Sequence, residues 1–505
     1  MQTLFASLNL YKGGIPAQYG SRLSSVFDVT VKNGNKNKIS GKGGISPITG
    51  RLALEGPLFN KKGSFVIAGR STYSDWILKK IDKPAIKNSN ASFYDLNAKI
   101  TYDLNERNSI SRSFYLSSDY FKLNSDTFFN YNNINASISW KRTFTNKLYV
   151  IYSGIYSNYK YDIGSNSNPF NGFDLSYNID YKELKADFSY FPNMNHTISF
   201  GASVINTNKL IKPWGGPEYR ISMRYKTGVY SSLKFTYNRS LQYLHMMSNS
   251  MAISPTDIWK MSNTYLPPQK GNQVALGFYR NFNKNLFETS VEVYYKTIRD
   301  LIEYKAGTEF LLNEHLETDI INGNGKAYGI EFLIRKKYGK LNGWLSYTYA
   351  STKIKVDGKY LEEKINHGEE FPADYDKPHD VTLVSNYKFS RRISVSSNVT
   401  YSTGKPITMP VAKYWYKGRE LVHYSARNEY RVPDYFRWDF SVNLEGNLKI
   451  NKLAHSSLSL SVFNVTGRDN VYSIFFISDE ENQIQAYKLS IFAQPVFTVA
   501  YNFEF

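Results

Sequence analysis

The chain finishes on FTVAYNFEF, residues 497 to 505. Successive side chains of an extended backbone point to opposite faces, so Phe497, Val499, Tyr501, Phe503 and Phe505 share one side and Thr498, Ala500, Asn502 and Glu504 the other. One face is wholly apolar or aromatic, and the terminal residue belongs to it. A strand that seals a sheet in lipid needs an apolar side chain at every second position and a partner on each edge, because lipid offers no water to an unpaired backbone group. The alternative, an edge strand of a soluble sandwich, would leave that row exposed.

The same period of two recurs upstream. In FETSVEVYYKTI, Phe287, Val291, Val293 and Tyr295 oppose Glu288, Ser290, Glu292 and Lys296. Ile134, Ala136, Ile138 and Trp140 oppose Asn135, Ser137, Ser139 and Lys141, and Trp438, Phe440, Val442 and Leu444 oppose Asp439, Ser441, Asn443 and Glu445. Helical spacing of useful length is scarce, so the chain reads as all-β. Short polar turns near Asn105, Asn146, Asn193, Asn283, Lys340 and Arg391 alternate with long irregular stretches at 76–92, 248–270, 304–326, 355–377 and 405–433. Outer-membrane barrels are built with this asymmetry, short turns at one rim and long loops at the other. The pattern predicts a large closed antiparallel transmembrane barrel of about 22 strands, with further strands expected near Glu309 and Thr318, and a lumen that needs a plug.

Composition narrows the function classes. Of 505 residues, 42 are Tyr and 32 Phe, and none is Cys. Thiol catalysis, Cys-bound zinc and iron–sulfur clusters are excluded. The absence of Cys also suits an oxidising compartment. The formal net charge is +19, but Lys and Arg are dispersed along the chain, and no segment gathers the basic patch that nucleic acid would need. There is no run of 18 apolar residues, and the opening MQTLFASLNLYKGG lacks the basic, apolar and small-residue regions of a signal peptide. No catalytic motif surrounds the seven His, so the chain reads as a protein other than an enzyme, without a cofactor. Asp374, Asp376, His379 and Asp380 are ligand-type residues, yet Pro372 and Pro378 bound them as they would bound a turn.

The segment GGIPAQYGSRLSSVFDVTVKNG (Gly13 to Gly34) resembles the final part of the plug domain in TonB-dependent receptors of the Bacteroidetes type. The likeness continues in order through RLALEGPL from Arg51, SPTDIW from Ser254, YGIEFLIRKKYGKLNGWLSYTYA from Tyr328, DYDKPHD from Asp374, YSTGKP from Tyr401, PDYFRWD from Pro433 and SVFNVTGRDN from Ser461. It implies a plug remnant over residues 1–36 and a barrel over 37–505, with the rest of the plug missing from the N-terminal side. It further implies a Gram-negative outer-membrane receptor that takes up a scarce small-molecule or oligomeric nutrient. Its partners would be the TonB complex, outer-membrane lipid and a lid-like surface lipoprotein. The alternative is a passive pore or surface binding protein without energy coupling.

Two sets of residues would carry that function. Glu331 lies between Ile330 and Phe332, which belong to the lipid face, so Glu331 and, by the same parity, Glu292 should point inward. Plug-to-barrel contacts in this family join Arg to Glu, and the resemblance pairs Arg22 of the plug tail with these carboxylates. In the long loops, Trp214, Trp259 and the run Tyr414, Trp415, Tyr416 could stack against a ligand, or could belong to the interfacial aromatic girdle.

Overall fold

The computed structural model describes residues 4–11, 15–16, 18–20, 23–74, 76, 79–80, 89–122, 127–165, 172–193, 196–207, 216–247, 257–305, 308, 313, 316–446, 455–478, 483–490 and 493–505. Most of them are strand, and no described helix is long and apolar enough to cross a membrane, which says nothing of crossing by strands. One antiparallel barrel sheet dominates. Its strands follow chain order from Ser40–Ile45 to Val496–Glu504, and hairpin follows hairpin, as short turns dictate. The longest members, Thr127–Thr145, Leu148–Ser165 and Phe173–Asn193, exceed what a bilayer requires of a tilted strand, about 9–11 residues.

The last strand returns to the first. Lys42 pairs with Glu504, Gly43 with Phe503 and Ile45 with Tyr501. Gly41 and Phe505 exchange backbone hydrogen bonds of 2.9 Å in both directions. An added Cβ at Gly41 would lie 2.8 Å from Leu54 Cδ2 and closer still to the ring of Phe505, and at Gly43 it would run into the ring of Phe503. Phe503 and Phe505 therefore each set the tip of the ring over a glycine of the first strand, an arrangement that restores apolar cover where the glycine has none.

Parity sorts the two faces. Val274, Leu276, Phe278, Val293, Tyr295, Phe332 and Ile334 are exposed on the outer side, where burial needs lipid and not protein. The alternate positions turn inward and meet the described part of the N-terminal tail, where Phe5–Tyr11 and Val26–Val31 form a hairpin in the lumen. Along Thr127–Thr145 and its neighbours the outer face changes character with height. Trp140, Tyr152, Ile138 and Leu184 give way upward to Asn132, Lys160 and Asn178, then to Asn130, Asp162 and Ser176, which lie side by side in register. Those upper rows are polar where the rows below are apolar or aromatic.

The outer loops fold inward and make their own cores. Residues 244–247 and 258–261 form a hairpin whose Met247 packs with Tyr304 and Leu316. Leu316–Asp319 is a 3-10 turn, and the strand expected near Thr318 begins directly after it as Ile320–Lys336, whereas Glu309 lies outside the described residues. Leu316 is buried, and Glu317 takes an ion pair of 2.6 Å from Lys260 and a hydrogen bond of 3.1 Å from Asn263, which holds this stretch in a turn.

Candidate functional site in the lumen

A cavity of about 340 Å³ opens where the tail hairpin meets four adjacent wall strands, and its lining includes Leu10, Leu23, Glu292, Lys296, Glu331 and Tyr375. Glu292 and Glu331 stand directly opposite one another in register, both turned inward. Two carboxylates at adjacent positions repel, which favours a cation or a hydrogen-bond donor beside them. Tyr279 supplies one donor, its hydroxyl 2.6 Å from Glu292 Oε1. Arg22 lies outside the described residues, as does Trp214.

Leu23, next to Arg22 in the chain, is the residue that sequence reasoning missed. It is buried with Ile298, Leu301, Ile354, Val356 and Phe371, a core shared by the tail, the wall and the 356–373 loop. Its backbone is held from both sides: its amide donates to Gln242 Oε1 at 3.3 Å, and its carbonyl accepts from Lys296 Nζ. Gly271 leaves the space, since a Cβ there would come within 2.7 Å of Leu23 Cδ2. Other anchors cross to distant strands. Lys32 pairs with Glu55 at 2.7 Å, Lys99 donates to the Val31 carbonyl at 2.7 Å, and Lys185 donates to the Gln18 carbonyl at 2.9 Å.

Above the cavity the loops are clasped to the wall. Arg427 reaches Glu303 at 3.3 Å and the Tyr304 carbonyl at 3.2 Å, while its amide donates to Asn366 Oδ1 at 2.7 Å. Asp376 accepts from the Thr352 amide at 2.6 Å and pairs with Arg431, and Asp374 accepts from Asn428 Nδ2 at 2.6 Å. The acidic run at 374–380 therefore works as turn and clasp, with Asp380 at the start of His379–Lys388 and His379 stacked beside Tyr347. Among the described residues no group of His, Asp and Glu is arranged to hold a metal.

The loop aromatics divide. Trp259 sits opposite Met246 in the 244–261 hairpin. Tyr414, Trp415 and Tyr416 lie on a second outer hairpin, Pro410–Tyr416 with Arg419–Tyr424. Alternation puts Tyr414 and Tyr416 on one face and Trp415 on the other, so the three do not make a single platform. All are exposed, Trp415 most of all. Lys413 joins this hairpin to a third, Val471–Ser478 with Ile484–Ser490, through Ser478 Oγ at 2.7 Å.

A barrel sheet with an apolar outer face, long clasped loops at one rim and a tail anchored in its lumen defines a membrane receptor or transporter. The family model "TonB dependent receptor-like, beta-barrel" matches residues 85–465, and the chain belongs to that family. Its fold is similar to the ferripyoverdine receptor of the outer membrane of Pseudomonas aeruginosa, at 11% identity and a TM-score of 0.63 over 100% of this chain and 77% of that one. A siderophore receptor from Acinetobacter baumannii gives 11% identity and a TM-score of 0.61 over 99% and 85%. The alcaligin outer-membrane receptor of Bordetella pertussis gives 11% and 0.56 over 100% and 82%. No curated protein sequence matches the chain.

Proposed function

We propose that the sheet closes as an outer-membrane barrel of about 22 strands that takes up a scarce solute with energy from the TonB complex. Residues 1–36 are the end of a plug and residues 37–505 the barrel. The observation that carries this reading is the tail itself: Leu23, Lys32 and the Gln18 and Val31 carbonyls are tied to inward side chains on strands far apart round the wall. A passive pore has no use for such anchors, whereas a movable plug needs a fixed end. Glu292 and Glu331 are the plug contacts, with Arg22 as their cation. Trp214, Trp259, Tyr414, Trp415 and Tyr416 are the candidates for first contact with solute, and a surface lipoprotein is a fitting lid for them.

The test is the depletion of medium solutes by cells that carry the protein, followed by mass spectrometry with and without a working TonB system. Uptake that requires both supports the proposal. Equal uptake without TonB would assign the chain to the passive pores instead.

A further inference from the structure

Two consecutive wall strands are laddered along one edge only. His196–Thr207 pairs with Phe173–Asn193, and Arg220–Gly228 pairs with Ser231–Gln242. Among the described residues no backbone pair joins His196–Thr207 to Arg220–Gly228. Exposure follows from the missing neighbour. Val204 and Met223, which stand opposite Leu184 and Phe235 on the outer face, are 72% and 63% exposed. On strands laddered along both edges, the outward Leu276, Val293 and Phe332 are 47%, 43% and 39% exposed. A free edge opens a side chain from the flank as well as from the front. On the lumen side the alternate positions are Ser199, Gly201, Ser203 and Ser222, all too short to fill the gap from within.

The tail is tied to both flanks of this junction. On one flank, Lys185 of Phe173–Asn193 stands opposite Ser203 and donates to the Gln18 carbonyl at 2.9 Å. On the other, an added Cβ at Gly20 would lie 3.3 Å from Glu218 Oε2, just ahead of Arg220–Gly228. Glu218 is itself fixed there, by the Leu241 amide at 2.7 Å and by Arg220 at 2.6 Å. Gln242, at the end of Ser231–Gln242, accepts from the Leu23 amide at 3.3 Å. Six residues of chain reach about 20 Å at most, so the ties at Gln18 and Leu23 set a ceiling on how far the two flanks can separate.

We propose that this junction is a lateral gate in the wall, strapped from the lumen side by the tail in place of a ladder, and that release of the tail from Lys185 and Gln242 lets it part toward the bilayer. A laddered junction resists parting because each broken backbone bond would face lipid with no replacement. Here no ladder has to be broken, so the wall yields at this place first. Parting joins the lumen to the apolar layer by a side opening, separate from the route along the barrel axis. The inference rests on the barrel reading above, since a lateral gate needs a bilayer to open into.

The chain has no Cys, so introduced pairs can be spin-labelled without background. The experiment uses the full chain in phosphatidylcholine vesicles and reads distances by pulsed electron paramagnetic resonance. Val204→Cys with Met223→Cys spans the junction, and Leu276→Cys with Val293→Cys, opposite one another in a ladder, is the control. The junction pair should be farther apart than the control. Adding Lys185→Ala and Gln242→Ala should lengthen it by about 5 Å or more, one strand spacing, and leave the control pair unchanged. Lys185→Met, which keeps the length of the side chain and removes its donor, takes the place of the double variant if that variant disturbs the control distance. A junction pair as close as the control would mean a laddered wall and overturn the inference. So would a junction distance that does not respond to loss of the ties. Insertion into the vesicles is scored separately: a chain that inserts with a closed junction leaves the barrel reading intact and the gate refuted, whereas a chain that does not insert removes both.

Discussion

Gly41 and Phe505 bond to each other twice through their backbones, 2.9 Å each way, at the seam where the chain's first and last wall strands meet. Loss of a backbone bond inside a membrane costs several kcal/mol, because nothing there replaces it. Deletion of Phe505 removes this pair and uncovers Gly41. The expected result is a barrel that folds slowly or incompletely, seen as loss of the heat-resistant compact band in unboiled gel electrophoresis. Gly41→Val should do the same by driving the Phe505 ring off its glycine, while Phe505→Tyr should fold normally.

Replacing Leu23 with Ala should cost about 3 kcal/mol of local stability, the usual result of emptying a buried leucine site. Protease cleavage within residues 23–31 of the folded protein then rises. Gly271→Val, on the opposite side of the same contact, should produce equal release without touching the tail, and intact protection in that variant would refute the packing account.

Arg427→Ala should free the 403–434 loop from Glu303 and Tyr304. The expected loss is about 1–3 kcal/mol, since a partly buried carboxylate is left without its partner. Hydrogen exchange in residues 419–431 reads it, and Arg427→Lys should recover little, because a single ammonium cannot reach the carboxylate and the carbonyl with the fork of a guanidinium.

His245 lies outside the wall strands, buried in the 244–261 hairpin with Nε2 2.9 Å from Ser262 Oγ and Lys260 across the strand. Burial pushes its imidazole down to about 4. The fold thus holds the neutral form, and the stability this contributes is present above the ordinary imidazole value of about 6.5 and is lost as pH falls toward about 4. Trp259, opposite Met246, should report that loss as a change in fluorescence below about pH 5. His245→Phe should abolish the pH dependence.

If the 410–424 hairpin meets solute, its two faces should not be equivalent. Tyr414→Ala and Tyr416→Ala share a face and should weaken binding together, whereas Trp415→Ala should act independently or not at all. Binding titrations on the three single variants and the tyrosine double variant decide this.

How much of this was legible in the sequence depends on the range of the interaction. Alternation is local, so Glu292, Glu331 and the apolar face of residues 497–505 could be assigned from neighbours alone. The contact between Leu23 and Gly271 could not, because a glycine that makes room for a distant leucine looks like any glycine in a strand. Arg427 and Glu303 are likewise 124 positions apart, one in a long loop and the other at the end of a wall strand. At Thr318 only the boundary was beyond reach: the strand begins at Ile320, because pairing of Glu317 to Lys260 and Asn263 holds Leu316–Asp319 in a turn.

The core around Leu23 contains residues of the tail, the wall and the 356–373 loop together. Side chains that share one dry contact melt as one unit. The two ends of the lumen are accordingly a single thermodynamic element: whatever loosens the tail from below also withdraws support from the loop above, and a solute that steadies the loop raises the free energy needed to extract the tail. The direction of cause is interchangeable, since equilibrium coupling works equally from either end.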